Sequence, residues 1–227
     1  MRVIGLFMLV SATVGSVFSQ KTLTYQQHLN ELAVQKGKYY TSCKGGDSTK
    51  QYKSVSAAKA YIYTQLIDHI FPAWYGTEWD FNGVSNVPGK GQIACGYFVT
   101  TTLKHIGFNL NRYKLAQQYS HSIVNTLCTD VKVIGNNNTT KLFAYINSRP
   151  NQLYIVGLDN HVGFISKEKS GIYFIHSSYL DPVAVVKEKA PRAVALIGSN
   201  TFVLGAFTEN DAIIKAWINN EEIYIKK

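Results

Sequence analysis

The sequence predicts an α+β fold, and three observations carry that expectation. Apolar residues recur at helical spacing through the earlier part of the 227-residue chain. Short β-prone runs separated by turns follow between residues 152 and 207, and a last helical stretch closes the chain. Helices first and an antiparallel meander afterwards is the order of an α+β domain.

The elements are justified in order. Residues 1–19 read as a signal peptide: Arg2 is the basic start, Val3 to Val14 the apolar stretch, and Val17 and Ser19 set up a cut after Ser19. This implies export to a periplasmic or extracellular space. The stretch is too short to span a bilayer comfortably and polar Gln20 and Lys21 follow, so no integral membrane span is expected after its removal. Residues 20–71 form an N-terminal helical region. Leu23, Leu29, Leu32 and Val34 predict a helix over 21–37, Gly45-Gly46 marks a polar loop over 40–52, and Ala57, Ala58, Tyr61, Leu66 and Ile70 predict a helix over 54–70, capped by Ser54 and ended by Pro72.

Residues 72–227 form the second region. Gly76, Gly83, Pro88, Gly89 and Gly91 make 75–92 a turn-rich loop of a length that is often functional. Phe98, Val99, Leu103 and Ile106 predict a helix over 95–106 that Gly107 stops, and another is predicted over 112–127. Residues 135–138 are a turn, after which Thr139 or Thr140 caps a short helix through Ile146. Strands are predicted over 152–158, 161–166, 171–176, 183–187 and 193–197. Gly198-Ser199-Asn200 is read as a hairpin turn into 201–207, and 209–219 as the closing helix.

Composition bounds the function. The chain is 46% apolar and 16% charged, which is globular, with 15 Tyr, 11 Phe and 3 Trp for a packed interior or an aromatic groove. The net charge of +9 favours anionic polymers, but the basic residues are scattered, so no nucleic-acid partner is expected. Three cysteines allow three pairings or three free thiols; Cys43 with Cys128 is the expected bridge because it leaves Cys95 reduced.

The chemistry gathers on Cys95, which follows a glycine-rich loop and opens an apolar helix in Gly91-Gln92-Ile93-Ala94-Cys95-Gly96-Tyr97-Phe98-Val99. A helix start presents unpaired N–H groups and partial positive charge. Both favour a thiolate and can hold an oxyanion. Gly96 would let a substrate approach the backbone. His161 heads one predicted strand and His176 lies in the next, so a hairpin would bring them together, with His161 as general base and His176 fixing its tautomer.

These segments resemble the NlpC/P60 superfamily of papain-like cysteine peptidases, over about residues 72–180. Its loop ending in Asp-Cys-Ser-Gly corresponds to Ala94-Cys95-Gly96-Tyr97, its His-Val-Gly to His161-Val162-Gly163, and its Ile-His-small-Ser to Ile175-His176-Ser177-Ser178. Gly76-Thr77-Glu78-Trp79-Asp80-Phe81-Asn82-Gly83 is similar to the family's glycine-rich loop before the nucleophile. The resemblance implies a papain-like fold and a Cys95–His161–His176 triad that cleaves amides of peptidoglycan peptides through a thioester, as endopeptidase or amidase. It puts Trp79 at the family's oxyanion tyrosine, with Tyr75 as a nearby alternative donor. Ala94 replaces the aspartate that commonly receives a free stem-peptide amine, so recognition of that amine is not implied. A papain-like protease or acyltransferase on other substrates, and a wall-binding or interaction protein without turnover, are the competing readings. No cofactor is implied, no Cys/His spacing fits a metal site, and a monomer is expected. His28, His69, His105 and His121 read as helix-face residues, Asp159 as a turn residue, and Asn137-Asn138-Thr139-Thr140 holds glycosylation sequons.

Overall fold

A computed structural model describes residues 23–226; segment 1–19, read above as a signal peptide, lies outside the described residues. Its architecture is α+β. Helix α1 (Tyr25–Lys44) and α2 (Ser48–Gln65) lead into a π-helical turn (Leu66–Ile70) and α3 (Phe71–Trp74). Helices α4 (Cys95–His105), α5 (Arg112–Ala116) and α6 (Ser120–Leu127) follow. Then come β1 (Thr129–Ile134), α7 (Thr139–Asn147), β2 (Leu153–Gly157), β3 (Val162–Glu168), β4 (Gly171–Ser177), β5 (Val185–Lys189), α8 (Val194–Ile197), β6 (Phe202–Ala206) and α9 (Asp211–Asn219). The strands form one six-stranded sheet in the order β1-β6-β2-β3-β4-β5, antiparallel at every pairing. Among the described residues no helix is long and apolar enough to cross a membrane.

Both sheet faces are covered, so the central strands are apolar throughout. In β2 all five residues are buried. Leu153 and Ile155 turn to one apolar cluster, with Phe164, Ile175 and residues of α1, α2, α4, α6 and α9. Tyr154 and Val156 turn to a second cluster, with Ile165, Phe174 and residues of α7 and α8. The N-terminal helices therefore share one core with the rest of the fold: Leu32, Val55 and Ile62 lie in one cluster with Phe98 and Phe164.

Several sequence expectations are corrected. The polar stretch 40–52 is not a loop. Its polar residues are the solvent faces of two helices, and the turn is only Gly45-Gly46-Asp47, where the Asp47 side chain accepts the Lys50 N–H. Ser54 accordingly lies inside α2. Pro72 does not end the helical run: the Phe71 N–H bonds the Leu66 carbonyl across a widened π turn, and the chain continues helically through Pro72. The stretch 112–127 is two helices, and Asn138, not Thr139 or Thr140, caps α7. The predicted strand 193–197 is instead the extended cap Ala193 followed by helix α8, so no hairpin forms at 198–200; β6 inserts between β2 and the edge strand β1, which the sequence had not suggested.

The expected Cys43–Cys128 bridge is absent, because all three thiols are free. Cys128 is buried against β6, where a side chain at Gly205 would collide with its Cβ. Cys43 sits in the last turn of α1, in a groove beside Val55 and Lys215.

Candidate active site

Cys95 is the first residue of α4, and its N-cap, Ala94, supplies no side-chain hydrogen bond. The first N–H groups of the helix are therefore not claimed by a cap. The preceding loop holds the thiol in place by folding on itself. Ile93 N–H bonds the Glu78 carbonyl, Ala94 N–H the Gly83 carbonyl, and Ser85 N–H the Gln92 carbonyl. A Cβ at Gly83 would lie 2.6 Å from the backbone of Gln92 and Ile93, so only glycine permits this approach. The loop is anchored beside β5 through Gly76 N–H to Val185 and Trp79 N–H to Val183. Buried Arg112 clamps its far side, donating to the carbonyls of Val84 and Ser85 and to the Thr101 hydroxyl.

His161 follows the tight turn between β2 and β3, where Leu158 N–H bonds the His161 carbonyl. Asp159 is a turn residue as expected. Its carboxylate accepts the N–H groups of Asn200 and Thr201, tying that turn to the start of β6. The backbone N–H groups of Val162, Gly96 and Cys95 point toward the Cys95 sulfur, so the thiol sits beside the start of β3. Cys95 and His161 line one cleft of about 780 Å³.

The two histidines meet as the hairpin reading requires. His161 Nε2 lies 2.8 Å from His176 Nδ1, with the rings nearly perpendicular. Phe174 stacks on His176 at 4.0 Å between ring centroids. Gly163 makes room for both, since a Cβ there would come within 2.8 Å of the Phe174 ring and the His176 Cβ. Beyond His176, its Nε2 is 2.9 Å from Glu188 Oε1 on β5. Ser177 donates to the Ile93 carbonyl at 2.6 Å and so ties β4 to the loop that carries Cys95.

Electrostatics correct one expectation. Burial pushes the Cys95 thiol above its ordinary value, and the surrounding N–H groups only partly oppose it. Burial, with His176 next to it, pushes His161 down to about 3. His176 is lowered as well, chiefly by burial, with Glu188 acting in the opposite direction. The resting pair is therefore a neutral thiol beside a neutral imidazole. The helix start does not by itself make a thiolate here.

The other named residues divide. Trp79 lines the cleft, its ring 6.2 Å from that of Tyr179. Tyr75 does not: it packs against the core, and its raised hydroxyl pKa reflects burial and then the charge of Glu168. Gly96 borders the cleft, but the space its Cβ would fill is taken by the Ala116 carbonyl oxygen at 2.4 Å, so it serves the contact of α4 with α5 and not substrate approach. Sequence reasoning missed Glu188 and Tyr179. The predicted strand 183–187 stopped one residue short of Glu188, which pairs across from Phe174. Tyr179 lies three residues beyond His176, with its ring 5.2 Å from His161. The rest of the cleft wall is aromatic, aliphatic and carboxamide, including Phe81, Tyr97, Asn82 and Gln117, and no acidic or basic side chain other than the imidazole lines it. Among the described residues no three His, Cys, Asp or Glu side chains group so as to hold a metal ion.

A free thiol at an uncapped helix start, an imidazole in the same cleft and a hydrogen-bonded relay behind that imidazole are together equipped for nucleophilic acyl transfer. No family model, no curated protein and no solved structure matches this chain.

Proposed function

We propose that this protein is an exported, papain-like cysteine hydrolase of the NlpC/P60 type that cleaves amide bonds of peptidoglycan peptides. The observation that carries the reading is the hydrogen bond of His161 to His176, with His161 and the free thiol of Cys95 lining one cleft. Peptidoglycan as substrate rests on the resemblance of the three motifs, and the basic net charge suits an anionic polymer.

The steps follow from the neutral resting pair. As the sulfur attacks the amide carbonyl carbon, His161 takes the thiol proton on Nδ1, since its Nε2 is engaged by His176. The carbonyl oxygen becomes an oxyanion beside the N–H groups of Cys95 and Gly96, in the cleft that Trp79 also lines. His161 then gives its proton to the leaving nitrogen, the C–N bond breaks, and a thioester remains on Cys95. Water attacks that thioester, His161 removes its proton, the C–S bond breaks to release the carboxylic acid, and the Cys95 thiolate takes the proton back from His161. The charge-free cleft wall favours a scissile amide with uncharged groups on either side, because a buried charge without a partner costs several kcal/mol.

The test is digestion of purified sacculi followed by mass spectrometry of the released muropeptides. Acid-quenched samples are searched for an acyl adduct on the Cys95 peptide. New fragments that disappear in Cys95→Ala support the reading. Fragments that persist in that variant, or none from pH 5 to 8, overturn it. The aromatic wall of Trp79, Phe81, Tyr97 and Tyr179 favours, as a second reading, an acyl hydrolase or transferase on apolar N-acyl amides. Turnover of such amides with sacculi left intact would select it.

A further inference from the structure

Resting on Cys95 as nucleophile, we infer that Glu188 is a positioning residue: it fixes the tautomers of both imidazoles and so keeps the Nδ1 lone pair of His161 free to take the Cys95 proton. The argument needs only hydrogen-bond bookkeeping. A carboxylate accepts and does not donate. Glu188 Oε1 stands 2.9 Å from His176 Nε2, so that nitrogen carries hydrogen. His176 is fully buried, which disfavours a second proton, and its Nδ1 is therefore a bare acceptor. That Nδ1 is 2.8 Å from His161 Nε2, so His161 in turn carries its hydrogen on Nε2. Buried and neutral, His161 is left with a bare Nδ1. One carboxylate at the far end of the relay thus decides which nitrogen of His161 carries the proton and which stays bare.

Without Glu188 the relay has no preferred direction. His176 could equally hold its proton on Nδ1 and donate to His161 Nε2, which would put the His161 proton on Nδ1, where it blocks proton uptake from sulfur. The surroundings leave Glu188 to this task. Lys187 beside it pairs with Glu168, and Lys189 donates to the Ser170 carbonyl and the Tyr173 hydroxyl. The Phe174 ring stacked on His176 holds the plane in which its Nε2 meets Glu188. Glu188 retains 37% side-chain exposure, so substituting it is compatible with folding. The same carboxylate, acting through His176, stabilises the imidazolium that forms when His161 takes the proton.

The experiment combines nitrogen NMR of histidine-labelled protein with kinetics on Glu188→Gln, Glu188→Ala and Glu188→Asp. In the resting wild-type protein, Nε2 of both His161 and His176 is expected to be protonated and both Nδ1 atoms bare. In Glu188→Gln and Glu188→Ala the Nδ1-protonated forms appear, and kcat falls on the order of 100-fold with KM little changed, since a wrong tautomer disables the base without touching substrate. Glu188→Asp recovers part of the loss. A protonated Nδ1 on wild-type His161, or wild-type tautomers in Glu188→Ala, overturns the inference, as does an unchanged kcat in a variant whose tautomers have shifted. The NMR arm needs no turnover, so a failure of the hydrolase reading is told apart from a failure of this one.

Discussion

Mild acid is expected to destabilise this protein well before its carboxylates titrate. Burial pushes His161 down to about 3 and His105 down to about 4, so both are neutral in the folded chain near pH 5, and it lowers His176 in the same direction. In the unfolded chain each titrates near the ordinary value of about 6.5. Below 6.5 the unfolded state therefore binds the additional proton. Stability is fully present above that value and is lost as pH falls toward the folded-state values. For His161 alone, the step from pH 7 to pH 5 costs roughly 2 kcal/mol, from about 1.4 kcal/mol per unit once the unfolded histidine is charged. His105 adds a loss of the same sign, reduced because its Nε2 faces exposed Asn86. Together these reach about 3 kcal/mol, a large part of the 5–15 kcal/mol typical of a domain. Asp130 and Asp159, both held below the usual carboxylate range, act in the same direction but only at lower pH. The assay is urea unfolding at pH 7, 6 and 5, comparing wild type with His161→Gln and His105→Gln. Repulsion within the basic chain affects all three alike, so the differences isolate the histidines. A wild-type stability that changes by less than about 0.5 kcal/mol between pH 7 and 5, or variants that keep the full pH slope, would refute the reasoning.

Two substitutions test the packing and capping around Cys95. Gly96→Ala drives a methyl group into the Ala116 carbonyl, and backbone cannot yield cheaply there; a loss of about 3 kcal/mol in chemical unfolding is expected. Ala94→Ser supplies the missing cap of α4 and is expected to add about 1 kcal/mol, or roughly 2–4 °C in thermal unfolding.

How far the site was legible in the sequence depends on distance along the chain. Cys95 and the hairpin of His161 and His176 rest on local signals: a glycine-rich stretch before an apolar helix, and two β-prone runs joined by a turn. Both survive in the structure because a helix start and a hairpin register are set by near neighbours. Glu188 was invisible for the opposite reason. Its role comes from the register of β5 against β4, and the exposed stretch of Asp181, Pro182 and Val183 between them gives no sign of where pairing begins. Strand β1 and the placement of β6 were missed likewise, since β6 bonds to strands more than 45 residues away and displaces the hairpin that local turn chemistry suggested at Gly198-Ser199-Asn200. At Tyr75 and Gly96 the residue types were suggestive, but packing decided: Tyr75 sits against the core and Gly96 against Ala116.

The neutral resting pair changes what the relay is for. In an ion-pair protease the thiolate waits and the histidine is already charged. Here burial opposes both ions, so in the proposed mechanism moving the proton from Cys95 to His161 before attack is uphill. The transfer becomes favourable only when charge leaves sulfur for the carbonyl oxygen as the C–S bond forms, where the N–H groups at the uncapped start of α4 receive it. Proton transfer and attack are then coupled, and the imidazolium exists only while the oxyanion does. Such a centre leans on two supports at once: donors toward the oxygen and an acceptor chain behind the base. Ala94 leaves the first open, and His176 with Glu188 provides the second. It also keeps the thiol unreactive until substrate fills the cleft. Alkylation of Cys95 by iodoacetamide at pH 7 is accordingly expected to be slower than that of a free cysteine, and labelling faster than free cysteine would mean that the thiolate is present at rest.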